Sequence, residues 1–183
     1  MHSAARRSID PRMKTWLVLA ALAAPADAET PKLGVMADVG APDGASLGIV
    51  VRPWRPLRLE AGGGHNAVSP CVRGGLALVP FASVVTPTLS ADYGHCFEGD
   101  ANRAMRMMSG DASFSSPLLE RVGYDYAAAR LGIEIGNAQG TFFVHAGATW
   151  INATINSLSE SQMPSYVTVA TLSARIGFIR YFQ

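Results

Sequence analysis

Cys71, Cys96 and the histidines are the side chains of this 183-residue sequence best suited to covalent or metal chemistry. The two cysteines are the only ones present. Cys71 opens one alternating apolar segment and Cys96 closes the next. On antiparallel neighbours they fall at the same end and on the same face. In an oxidising compartment this predicts a disulfide, provided their Cα atoms come within about 7 Å. Adding His65 and His95 would give four ligands at one rim. Their spacing matches no zinc signature, however, and alternation turns His95 to the opposite face, so no metal is expected. His145 could serve as a general base, but a histidine satisfied by a neighbouring Glu or Asp in a polar interior is the reading taken. His65-Asn66-Ala67-Val68-Ser69 brings a His and a Ser together with no identifiable acid partner. No catalytic residue and no cofactor are therefore predicted. Ala101 to Met108, with Met105, Met107 and Met108, reads as a short helical turn. Its soft side chains either pack the loop over a rim or contact a partner or metal.

Composition bounds the function from the other side. A net charge of +1 gives no long-range pull toward nucleic acid. Charged residues make up only 16% of the chain against 49% hydrophobic, and Lys occurs only at Lys14 and Lys32. That is a poor coat for a soluble domain. The length suits one domain. Residues 1–28 read as a signal peptide. Arg6, Arg7, Arg12 and Lys14 form a basic region, Trp16 to Ala24 an apolar core, and Ala26-Asp27-Ala28 a small-x-small cleavage site. The apolar core is well short of the roughly 20 residues of a membrane helix. Met1 and Met13 are both candidate starts. The mature domain is then 29–183.

From Lys32 onward the apolar residues recur with period two, as strands with two unlike faces require. Leu33, Val35, Ala37 and Val39 alternate with Gly34, Met36 and Asp38. Ala129, Leu131, Ile133 and Ile135 alternate with Arg130, Gly132 and Glu134. Comparable runs begin near Leu47, Leu57, Val72, Leu89, Phe142 and Leu172, making roughly eight strands with little room for helices. The second face collects Asp38, Arg52, Arg58, Glu60, Arg73, Asp92, Arg130, Glu134, His145 and Arg175, separated by Gly, Ser and Thr. Acids and arginines nearly balance. An inward face needs that balance, because an unpaired buried charge costs several kcal/mol. The charged face is thus expected to line a narrow lumen and the apolar face to meet lipid. A soluble, lipocalin-like periplasmic barrel with the faces reversed is the alternative, and a narrow porin-like channel is another.

Connections and aromatics agree with a membrane barrel. Arg52-Pro53-Trp54-Arg55-Pro56 and Asn137-Ala138-Gln139-Gly140 are tight turns, whereas the segments near 98–123 and 152–166 are the longest and should lie outside. Trp54, Phe81, Phe142 and Phe182 fall at predicted periplasmic strand ends, and Tyr93, Tyr124 and Trp150 at outer ends, as two girdles require. In this pattern and length the mature chain resembles the small outer-membrane barrels, such as the OmpA transmembrane domain and its OmpX-like and opacity-protein relatives. The resemblance implies an all-β, roughly eight-stranded antiparallel up-and-down transmembrane barrel after a cleaved signal peptide. It also implies a non-enzymatic envelope or surface-interaction role in the outer membrane, with membrane lipid as its environment and assembly by the barrel-assembly machinery. Family members end in an aromatic-tipped strand. Here Phe182 is penultimate, and Arg180 stands where a hydrophobic residue is usual. No surface ligand is named by the sequence.

Overall fold

A computed structural model describes residues 32–80, 83–137, 139–155 and 165–182. The predicted signal peptide and Phe81 lie outside these residues. The strands are β1 (Lys32–Gly40), β2 (Gly44–Trp54), β3 (Leu57–His65), β4 (Pro70–Leu78), β5 (Val85–Gly99), β6 (Val122–Gly136), β7 (Gly140–Ile155) and β8 (Ser165–Phe182). One helix, α1 (Asn102–Ser109), lies between β5 and β6 where a helical turn is expected, and Pro117–Leu119 adds a single 3-10 turn. Every strand pairs antiparallel with the next, and β8 returns to β1. The fold is a closed, eight-stranded, up-and-down antiparallel barrel. Closure suits a chain whose strands are apolar on one side, because it leaves no open sheet edge where the ladder is complete.

The register fixes the geometry. From Ala37 the cross-strand partners run Leu47, Gly63, Val72, His95, Asp125, Asn152 and Thr168. The partner of Ala37 across the closing seam is instead Phe178, so one circuit advances ten residues along β8 (178 minus 168). Such a stagger requires strands tilted by roughly 35–45°. β1 to β4 are nine to eleven residues long and β5 to β8 fifteen to eighteen, so the second half of the barrel forms a taller wall at the end away from the termini.

The faces are inverted relative to a water-soluble barrel. Leu33, Val35, Leu47, Ile49, Leu131, Ile133, Val144, Leu172 and Ile176 are exposed on the outside, while Asp38, Arg58, Glu60, Arg73, Asp92, Arg130, Glu134 and Arg175 are buried. Small residues on the inward face make room for the large ones. Gly94 is the cross-strand partner of Tyr126, and a Cβ at Gly94 would sit 2.4 Å from the tyrosine ring. The ring therefore lies across bare backbone.

That fit predicts opposite outcomes for one chemical change at two glycines. Gly94→Ala should cost about 1–3 kcal/mol by overpacking, read as a lower urea midpoint of the refolded protein. Gly63→Ala, whose Cβ would meet only the Cys71 carbonyl at 3.4 Å, should leave the midpoint nearly unchanged. Equal losses at both positions would show that the Tyr126 contact is not what Gly94 serves.

Candidate functional site: a charge-paired lumen

Inward residues of strands three apart around the barrel meet across its axis. Arg58 and Glu60 stand two apart on β3 and so share its inner face. Arg58 Nε donates to Glu60 Oε1 at 2.9 Å. The same guanidinium crosses the lumen to Glu134 on β6, with Nη1 to Oε2 at 2.9 Å and Nη2 to Oε1 at 2.7 Å. This fork-on-carboxylate geometry is the strong form of the pair. Arg175 Nη2 on β8 donates to the other Glu60 oxygen at 3.0 Å. His145 on β7 flanks Glu134, its Nε2 being 3.7 Å from Oε1, and its Nδ1 lies 3.4 Å from Ser90 Oγ.

A second layer sits nearer the tall-wall end. Arg73 on β4 donates to Asp38 on β1 and to Asp43 in the β1–β2 turn. Ser46 Oγ also donates to Asp38, at 2.9 Å. Arg130 on β6 donates to Asp92 on β5, to Ser173 Oγ at 3.0 Å and to the Ala41 carbonyl at 3.1 Å. Arg175 Nη1, 3.9 Å from Asp92 Oδ1, links the two layers. Among the described residues four inward guanidiniums meet five carboxylates, a formal balance of −1 with His145 neutral. Arg58, Arg130 and Arg175 are only 1–2% exposed, so this balance is the condition for their being inside at all.

The charged layers are flanked by packed clusters at both ends. Toward the termini, Met36, Val50, Phe143, Ile179 and Tyr181 form a buried apolar cluster. Arg175 lies over the Phe143 ring at 5.5 Å, a cation–π contact joining cluster to network. Toward the other end, Cys71 and Cys96 are direct cross-strand partners joined by a disulfide, packed with Tyr126, Ala128, Tyr124 and Ile151. Above it, Tyr124 Oη donates to the Pro42 carbonyl at 2.8 Å. Asn66 Nδ2 donates to the same carbonyl at 3.2 Å and to Tyr124 Oη. The β1–β2 and β3–β4 turns are thereby tied across the mouth.

Nine of the ten residues read from the sequence as a lumen network are buried in these layers: Asp38, Arg58, Glu60, Arg73, Asp92, Arg130, Glu134, His145 and Arg175. Arg52 is not with them. It sits at the last rungs of β2, where its guanidinium donates to the Arg55 carbonyl within the turn and, at 3.5 Å, to that of Val79. The strand end lets so long a side chain curl over the turn. Asp43 escapes a period-two reading because it lies in a turn, where that reading stops. The apolar cluster escapes it in part because Met36 and Val50 alternate in the same phase as the charges.

The aromatic assignments divide similarly. Trp54, Tyr93, Phe142, Trp150 and Phe182 are exposed on the outer face. Tyr124 is not part of a girdle. Its parity on β6 is that of Tyr126 and Arg130, so it points inward and packs on the disulfide. His65 and His95 are exposed on the outside while the cysteines are buried, so the four do not converge. Among the described residues no group of three or more His, Cys, Asp or Glu side chains is placed to hold a metal ion.

No protein-family model matches the chain, and no curated protein matches it. Solved structures similar to it include the following two. One is the N-terminal β-barrel domain of Pseudomonas aeruginosa OprF, at 13% identity and a TM-score of 0.49, covering 82% of this chain and 97% of that one. The other is a major outer membrane protein from Thermus thermophilus, at 13% identity and a TM-score of 0.43, covering 84% and 100%.

Two variants test the network. Arg58→Met leaves Glu134 without its fork and should lower the unfolding free energy by about 3–5 kcal/mol. Adding Glu134→Gln should recover part of that loss, because the stranded carboxylate is what costs. An unchanged urea midpoint for Arg58→Met would show that water, not Arg58, satisfies Glu134. Replacing both cysteines by Ala opens a loop of sequence separation 25 and should cost about 3 kcal/mol.

Proposed function

We propose that this chain is a non-enzymatic integral outer-membrane β-barrel with a closed, charge-paired lumen, serving envelope structure or surface interaction. The inversion of its faces carries the reading. Leu131 is 69% exposed and Leu47 72%, whereas Arg58 is 1% exposed. Water would reverse that order, and a bilayer requires it. The signal peptide at 1–28 supplies the route of export, and membrane lipid covers the apolar face. The β8 end, with Phe182 beside Leu33 at the seam, is what the barrel-assembly machinery would engage. With the termini at the periplasmic side, the β5–β6 connection and its helix α1 face outward. The charge layers, the apolar cluster and the disulfide fill a barrel of this strand number, and this supports a plug over a pore.

The decisive substitution is Leu131→Arg, on the outer face near mid-strand of β6. In phospholipid vesicles it should cost about 2–4 kcal/mol. In a soluble barrel an Arg on that face would be solvated and nearly free. The wild-type protein should also fractionate with outer membranes and change gel mobility on boiling. A freely soluble protein indifferent to Leu131→Arg would overturn the membrane address. Planar bilayers containing the wild type should carry no steady current, and a salt-dependent current would replace the plug by a narrow channel.

A further inference from the structure

One register row of polar residues crosses the outer apolar columns of the tall wall, ending them on β6 and β7 and interrupting them on β5 and β8, where Phe97 and Tyr166 stand above it. On β6 the outward residues Ile135, Ile133, Leu131, Ala129 and Ala127 are followed by Asp125. On β7, Phe142, Val144, Ala146, Ala148 and Trp150 are followed by Asn152. On β5, Leu89, Ala91 and Tyr93 are followed by His95, and on β8, Leu172 and Ala170 give way to Thr168. His95, Asp125, Asn152 and Thr168 are successive cross-strand partners. They are also bonded in pairs. His95 Nδ1 is 2.9 Å from Asp125 Oδ1, and Thr168 Oγ1 donates to Asn152 Oδ1 at 3.2 Å.

Asp125 stands at the centre of this ledge. Tyr93, one rung below His95, lies diagonally across the β5–β6 pairing from the same carboxylate, since its own partner is Ala127. Trp150 lies diagonally across the β6–β7 pairing, since its own partner is Ala127. A diagonal neighbour is about 7–8 Å away, within reach of a long aromatic side chain. Phe97, edge-on to the His95 ring at 4.9 Å, closes the upper side. Tyr93, Trp150 and Phe97 are all about half exposed, and the side chains of His95 and Asp125 are 47% and 45% exposed. A carboxylate framed by exposed aromatic rings is the chemistry that holds an ammonium group. Because Asn152 Oδ1 is engaged by Thr168, its amide N–H groups remain as donors beside Asp125.

We propose that the outer-face row His95–Asp125–Asn152, framed by Tyr93, Trp150 and Phe97, is a binding site for a lipid headgroup that carries an ammonium next to a phosphate. The ammonium sits on Asp125 against the aromatic rings, and the phosphate accepts from Asn152. The proposal rests on the membrane reading for its lipid partner. Two lipids share this chemistry, phosphatidylethanolamine and a lipid A whose phosphate bears an amine substituent, and the test separates them.

Refolded wild-type protein and Asp125→Asn would be equilibrated in micelles with equimolar phosphatidylethanolamine and phosphatidylglycerol, and retained lipid counted by native mass spectrometry. A second arm would offer lipid A with and without the amine substituent. The wild type should retain the ammonium lipid by roughly threefold or more over its counterpart in at least one arm, the size that a surface ion pair with a cation–π contact supplies. The arm that shows it names the source. Asp125→Asn and Trp150→Leu should each bring that ratio to about one, with the heat-dependent gel shift intact. Equal retention in both arms, a preference for phosphatidylglycerol, or a preference untouched by Asp125→Asn would overturn the site. The gel shift and the Leu131→Arg cost read the membrane address separately, so failure of the site leaves that address standing.

Discussion

An eight-stranded barrel is too narrow to keep its inward charges hydrated, so they must neutralise one another across the axis. Arg58 is where that requirement is met most directly. It bonds Glu60 on its own strand and Glu134 three strands away, so its guanidinium spans the lumen rather than a ladder rung. The rest of the interior is shaped around such spans. A Cβ at Gly132 would come within 2.1 Å of His145, and one at Gly177 within 2.5 Å of the Asp38 Cβ. Glycine at those rungs leaves the volume that the long side chains and the imidazole occupy.

The network orders the barrel more than it stabilises it. Burying ion pairs returns little net free energy against apolar packing of the same volume, yet stranding one partner is expensive. Each register of the strands would bring different acids and arginines together, and only the observed one leaves Arg73 on Asp38, Arg130 on Asp92 and Arg58 on Glu134. The outer face offers no such discrimination, since one exposed leucine is much like another. Register is therefore specified from inside, by charge, and the disulfide between Cys71 and Cys96 pins the same register at the mouth.

Strand number, the two faces and the charged interior are legible in the sequence because period two is a local property, and each inward Arg or acid carries its own parity. What is not legible depends on height along the barrel. Arg52 has the inward parity of Val50, but the strand ends there and its side chain turns to the Arg55 carbonyl. Tyr124 belongs to the rim in sequence, and only its phase with Tyr126 and Arg130 reveals an inward side chain. Asp43 contributes to the network from a turn, where neither parity nor height can be read. The upper ends of β7 and β8 fall within the 152–166 segment that reads as a loop in the sequence, yet the ladder continues there to Ile155 and Ser165.

The ten-residue stagger explains why height is hidden and why it matters. Because each step around the barrel climbs, His95, Asp125, Asn152 and Thr168 are neighbours in register while lying at successively greater heights on tilted strands. The row is a rising ledge rather than a ring: it is polar on β5 to β8 and continues onto β4, β3, β2 and β1 as Val72, Gly63, Leu47 and Ala37. On the short side the strands end at Gly40, Gly44, His65 and Pro70, and the two turns there fold inward onto Tyr124 and the disulfide. One half of the barrel thus spends its upper residues tying its two turns together across the mouth. The other half keeps its strands paired beyond the apolar columns and carries polar groups outward at their top. A single register therefore produces both the charge-paired lumen and an outward-facing polar row on the taller wall.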